Sequence, residues 1–205
     1  MVIISREQVL NKLRSLGVMP ALLQSVYSGW SRYQKNVASA FKTPTPRLRA
    51  NAVHDLVAEE LETRTRKIPG ARFTRDGDRS WLHLGGDLVI EIHKLTEELV
   101  AHRNQTSFAE ILDAQQLSLP GFGPVLVLTL GYTHDRLGAD LRQVLLVCSC
   151  NNRLVWDIDL QAEASATIKM VPSDTRKSGT RKDRVKAKPG VKTTKQDKEN
   201  PQGES

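Results

Sequence analysis

The spacing of apolar residues changes once along this chain, and that change restricts the fold more than any other feature. Through Leu61 they recur every three or four positions; from Ala71 they recur every two. The first spacing gathers apolar side chains on one stripe of a helix, the second on one face of a strand. Helices followed by short strands with tight turns predict an α+β fold, with N-terminal helices packed on a mainly antiparallel sheet of about six strands.

Three helices are expected first. Ser5-Arg6-Glu7-Gln8 has the S-x-x-Q pattern of a capping box, and Val9, Leu10, Leu13 and Leu16 follow at helical spacing until Gly17. A second helix begins near Pro20, with Leu22, Leu23, Val26, Trp30, Tyr33 and Val37 on one stripe. Gly29 costs about 1 kcal/mol there relative to alanine and marks a point where the helix could break. Thr45 then reads as an N-cap and Pro46 as the first helical residue; Leu48, Ala52, Val53, Leu56, Val57 and Leu61 trace the third helix. Ile68-Pro69-Gly70 ends it.

The strands come in two blocks. Asp76-Gly77 and Gly85-Gly86-Asp87 are turn signals between 71–74, 80–84 and 88–95. Strands over 125–133, 141–150 and 153–160 follow, with Asn151-Asn152 as a two-residue turn. Between the blocks, Ser107-Phe108-Ala109-Glu110 is a further capping box opening a helix, and Leu119–Pro124 is a rigid loop. The order is helices, βββ, α, βββ. Along 88–93, Leu88, Ile90 and Ile92 alternate with Val89, Glu91 and His93, which predicts one packed face and one at least partly wetted. Leu154, Trp156, Ile158 and Leu160 similarly form the core side of the last strand.

Charge divides the chain. Pro172–Ser205 holds ten Lys/Arg against five Asp/Glu and has no aromatic, Leu, Ile or Met. It contributes +5 of the chain's +7, leaving +2 for the preceding 171 residues. Such a segment cannot bury enough apolar surface to fold alone and is expected to be disordered. The organisation reads as 1–43, an N-terminal helical segment; 44–163, the α+β core; and 164–205, a disordered basic tail. The first residues lack the apolar stretch of a signal peptide, and no apolar run approaches the roughly 18 residues of a membrane span. Cys148 and Cys150 lie on one strand, poorly placed for a mutual disulfide, and read as two small buried thiols in a reducing cytoplasm.

Chemistry-bearing patterns are sparse. Asp87, Glu91 and His93 are the catalytic candidates, because metal-dependent nucleases hold Mg²⁺ with strand carboxylates and place a lysine two residues beyond the second acid. Here His93 occupies that position and Lys94 falls on the other face, so the pattern is broken and Glu91 beside His93 reads more simply as a solvated strand face. His134-Asp135 reads as turn chemistry, and Asp157 with Asp159 as exposed edge charges. His54, His83 and His102 show no ligand spacing, no nucleophile motif is present, and no metal or cofactor is expected.

Basic residues carry the rest. Arg47 and Arg49 open the third helix. Arg64, Arg66 and Lys67 close it, where the helix dipole favours cations, and Arg72, Arg75 and Arg79 lie in the first hairpin. The last two groups could form one phosphate-binding surface. In the tail, Arg176, Lys177, Arg181, Lys182, Arg184, Lys186 and Lys188 would displace counterions from nucleic acid without reading its sequence. The expectation leans away from catalysis: a cytoplasmic accessory or regulatory protein whose body binds a protein partner and whose tail contacts nucleic acid, with no membrane role. A nuclease using Asp87 and Glu91 is one alternative. A purely structural interaction domain with a solubilising tail is the other.

Overall fold

Helix α1 (Arg6–Ser15) opens on its capping box: Ser5 Oγ accepts from the Gln8 amide at 3.3 Å, and Gln8 Oε1 accepts from the Ser5 amide at 2.9 Å. A computed structural model describes residues 5–77, 79–101 and 125–169, with side chains to 166. Helix α2 (Met19–Arg32) runs unbroken through Gly29 and continues as a π-helical turn over Tyr33–Val37, then a 3₁₀ turn over Ala38–Ala40. Helix α3 (Pro46–Thr65) starts where expected, with Thr45 Oγ1 accepting from the Leu48 amide at 3.2 Å.

Six strands form one sheet in chain order: β1 (Ala71–Asp76), β2 (Arg79–Leu84), β3 (Leu88–Lys94), β4 (Leu126–His134), β5 (Leu141–Cys150) and β6 (Arg153–Asp159). Every neighbouring pair is antiparallel except β3 and β4, which run parallel from Leu88 opposite Leu126 to Lys94 opposite Tyr132. Parallel neighbours need a crossover rather than a hairpin. The capping box at Ser107 and the Leu119–Pro124 loop fall within that connection, outside the described residues, as does the basic tail. Asn151 and Asn152 take φ of 51° and 57°, the left-handed pair required by a tight hairpin. The architecture is α+β, with the described helices on one side of a mixed sheet. No helix among the described residues is long and apolar enough to cross a membrane.

Val9, Leu13, Leu22, Val26, Val57 and Leu61 meet Leu82, Ile90, Leu128, Leu130 and Leu146 in a single core, so the N-terminal helices and the sheet share one interior. The opposite face departs from the expected pattern. Val89, Glu91, Val127, Thr129, Leu145, Val147 and Ser149 are buried as well. The middle strands are covered on both sides, as their near-continuous apolar runs allow. Part of this cover is local: Leu95 and Leu99 pack on Leu145 and Val147. Leu95 lies across Gly131, where a Cβ would come within 2.5 Å of its side chain.

Two differences arise at the end of the sheet. A register shift in the β5–β6 pairing sets Leu154 opposite Ser149, which turns Leu154 outward instead of into the core. A one-residue slip exchanges the two faces of a strand. The last strand also stops at Asp159 rather than Leu160, and helix α4 (Leu160–Lys169) follows, carrying helical structure into residues assigned above to the tail. Asp159 Oδ1 caps it by accepting from the amides of Gln161 (2.8 Å) and Ala162 (3.0 Å). Leu160 enters the core, and Arg14 of α1 holds Glu163 at 2.6 Å. The described residues all fall within one compact unit, Met1–Val171.

Gly29 marks the crossing of α2 and α3. A Cβ there would lie 2.6 Å from Val57 Cγ2 and 2.8 and 2.9 Å from the Val57 backbone N and Cα. Helix propensity alone would make Gly29→Ala stabilising by about 1 kcal/mol. Overpacking against backbone should reverse the sign and destabilise by about 1–3 kcal/mol. Urea denaturation of both proteins checks this; a variant at least as stable as the parent would mean that the two helices are not in close contact.

Candidate functional site

Of the nuclease candidates, Glu91 and His93 meet but Asp87 does not join them. Asp87 sits in the β2–β3 turn and forms an ion pair with Lys12 of α1. Glu91 lies four residues along an extended strand, about 13 Å away. It is buried at 6% exposure between Trp81 and Thr129 of the adjoining strands, and its Oε2 is 3.1 Å from His93 Nε2. Glu91 is therefore interior to the sheet with His93 half-buried beside it, rather than both lying on the solvated face the alternation suggested. Among the described residues, no group of three or more His, Cys, Asp or Glu side chains could hold a metal ion.

The basic residues of 64–79 are also divided. Arg64 turns back onto the helix pair, donating to Gln24 Oε1 (3.0 Å), Ser28 Oγ (2.9 Å) and Glu60 Oε2 (3.1 Å). Arg75 faces the helices, 3.4 Å from Glu62 Oε2 and 5.6 Å from the centre of the Phe73 ring. Arg79 is exposed but engaged. Arg72 lies on the other face of β1, opposite His83. Arg66, Lys67 and Arg72 are exposed and form no ion pair among the described residues. The tail residues Arg176 to Lys188 lie outside the described residues.

A different constellation converges where β3 and β4 end, between the start of α3 and the end of α2. The π-helical turn, in which the Ala38 amide bonds the Tyr33 carbonyl, carries Tyr33 and Gln34. Such turns recur at functional sites. Trp30 is the hub: its ring lies 5.7 Å from Tyr33, 6.0 Å from Tyr132 and 5.6 Å from His134, the last stacked at 28°. Three of the six Trp and Tyr residues of the chain thus meet in one place. Arg49, one turn into α3, lies against Gly138, where any Cβ would overlap its guanidinium. Gln34 Nε2 donates to the carbonyls of Gly138 (2.8 Å) and Ala139 (3.1 Å). Asp135 Oδ1 accepts from the amides of Ala139 (2.7 Å) and Asp140 (3.1 Å), so the 135–140 turn is held at both ends.

The polar atoms of this cluster are incompletely matched. Tyr33 Oη and Arg49 Nε are buried with no hydrogen-bond partner among the described residues. His134 Nδ1 is 2.6 Å from the Asp135 carbonyl, which makes Nδ1 the protonated nitrogen and leaves the lone pair on Nε2. Burial pushes the His134 pKa below its ordinary 6.5; the Asp135 carbonyl opposes this, and the nearby charges of Lys94 and Arg49 reinforce it. Burial likewise raises the pKa of the Tyr132 phenol, with Arg49 opposing. Sequence signals for this cluster were faint. Trp30 and Tyr33 belong to a helical stripe, Arg49 to a basic pair and His134 to a turn, and local spacing connects none of them to the others. Comparison with protein-family models, curated proteins and solved structures finds no match for this chain, so the cluster stands on its own geometry.

His83 and His134 make a common prediction about pH. Burial lowers both pKa values, with Arg72 adding at His83. The unfolded chain therefore binds more protons than the folded one between the depressed values and the ordinary 6.5. Stability must rise with pH through that window and fall on acidification. The melting midpoint should drop between pH 7 and pH 5, and His134→Gln should make that drop shallower. An unchanged slope in the variant would show that His134 takes up its proton at no cost to folding.

Proposed function

We propose that this is a non-enzymatic accessory protein whose folded body engages a protein partner and whose basic C-terminal segment makes sequence-independent contact with nucleic acid. The observation that carries it is the charge partition: the last 34 residues hold +5 of the +7. Internal pairing in the body supports the same division. Arg14, Arg32 and Arg75 are matched to glutamates of other elements, and Arg64 to Glu60 of its own helix. Phosphate contact then falls mainly to the segment, with Arg66, Lys67 and Arg72 as auxiliary cations of the body. The segment has no aromatic residue on which bases could stack, so its affinity would be electrostatic and steeply dependent on salt.

A protein partner is favoured by the free end of the sheet. β6 is an edge strand, and its start exposes Leu154 (38%) and Val155 (41%). Farther along, Arg6 Nε donates to the Asp157 carbonyl at 2.8 Å, which leaves Arg153–Val155 as the open stretch among the described residues. An edge of this kind accepts an added strand. The two cysteines are free thiols, with burial pushing Cys148 up to about 11, which supports a reducing cytoplasmic setting.

Gel-shift titration of the full chain and of residues 1–171 against duplex DNA and RNA tests the reading. The full chain should bind at low salt and lose on the order of 10³-fold in affinity between 50 and 200 mM salt if six or more cations engage phosphate. The truncated chain should lose most of that affinity and most of the salt dependence. Equal binding by both proteins, or none by either at low salt, would remove the role of the segment.

A further inference from the structure

We propose that Tyr33, Arg49, Tyr132 and His134 form a binding site for a small carboxylate, seated at the ends of β3 and β4. Charge is the first ground. Arg49 is half-buried and has no acidic partner among the described residues, and it stands in the first turn of α3, which contains no acidic residue. A cation at the positive end of a helix dipole is placed against the field. Lys94 adds a second positive charge felt at His134, while Asp135, the facing acid, is engaged by the amides of Ala139 and Asp140. A bound anion would offset the cations and the dipole together.

Unmatched donors are the second ground. Arg49 Nε–H can only donate, and it is buried without an acceptor; the Tyr33 hydroxyl is buried without a partner beside the same aromatic cluster. Unmade hydrogen bonds of buried groups are destabilising, and both residues act on the same neighbour, the Tyr132 phenol. The planar guanidinium fork can engage both oxygens of one anion, and the buried rings around it suit an anion that carries an apolar body, as a carboxylate can and inorganic phosphate does not. Trp30 and Tyr132, both nearly fully buried, wall the apolar side of this position. His134, neutral and with its lone pair on Nε2, would accept a hydrogen bond from a hydroxyl or amine of the same molecule.

The place in the fold agrees with this. β3 and β4 are the parallel pair, and the space beyond the carboxyl ends of parallel strands is where open sheets commonly bind small ligands. Lys94 and His134 are the last residues of those two strands. The inference does not depend on the nucleic-acid reading, since the site lies wholly within Met1–Val171.

Titration of the full chain with acetate, lactate and benzoate, and separately with inorganic phosphate, at constant ionic strength tests it. Tryptophan fluorescence and the NMR resonances of the His134 ring are the readouts. At least one carboxylate should saturate both signals, phosphate should not, and Tyr33→Phe and Arg49→Met should each weaken binding at least tenfold. Tyr33→Phe retains the ring, and without ligand it should be no less stable than the parent, so loss of binding in it reports on the hydroxyl and not on folding. No saturable response to any of the three carboxylates, saturation by phosphate alone, or unchanged affinity in Tyr33→Phe would overturn the proposal.

Discussion

Parallel pairing of β3 with β4 is the constraint on which the rest of the structure depends. It joins two antiparallel halves, β1–β2–β3 and β4–β5–β6, into one six-stranded layer. Because the two strands run in the same direction, the chain must leave the end of β3 and return to the start of β4. The pair also sits at the centre of the sheet, so both of its faces are interior: Ile90 and Leu128 look toward the helices, Val89, Glu91, Val127 and Thr129 look away. An acid such as Glu91 can remain at such a position only with hydrogen-bonding company, and His93 provides part of it.

The same pairing sets the ends of β3 and β4 side by side. Across that end the α2–α3 pair is drawn close by Gly29, whose missing side chain admits Val57. The π-helical turn begins at Tyr33, whose amide still bonds the Gly29 carbonyl, and carries Gln34, while Arg49 enters from the first turn of α3. Backbone approach, helix winding and strand direction thus combine to gather Trp30, Tyr33, Arg49, Tyr132 and His134, which come from four separate elements. Their burial explains both the depressed pKa of His134 and the raised pKa of Tyr132.

Much of the local structure could be read from the chain. Ser5 with Gln8, Thr45 with Pro46, and Asn151-Asn152 each contain the whole chemistry of a cap or turn within a few residues and form as expected, whereas Asp76 of the Asp76-Gly77 signal stays in β1, paired with Arg79. Asp159 as the cap of α4 was equally local, but alternation through Leu160 concealed it, because Leu160 suits a strand face and a helix face alike. The outward turn of Leu154 was not legible, since it follows from the pairing register with β5 and not from the residues of β6 themselves. Glu91 looked solvated for a related reason: alternation reports which side chains share a face but not what covers that face.

The amino-acid order by itself determined the α+β class, the sites of capping and turning, the apolar stripe of each helix, and the concentration of positive charge after Pro172. These depend on contacts within a few residues or on composition. Tertiary structure decided the direction of β4 against β3, the burial of the second sheet face, the separation of Asp87 from Glu91, and the meeting of Arg49 with Tyr33, Tyr132 and His134. Each of those depends on groups distant in sequence occupying the same volume. Close packing and burial settle such relations only when the whole chain has folded.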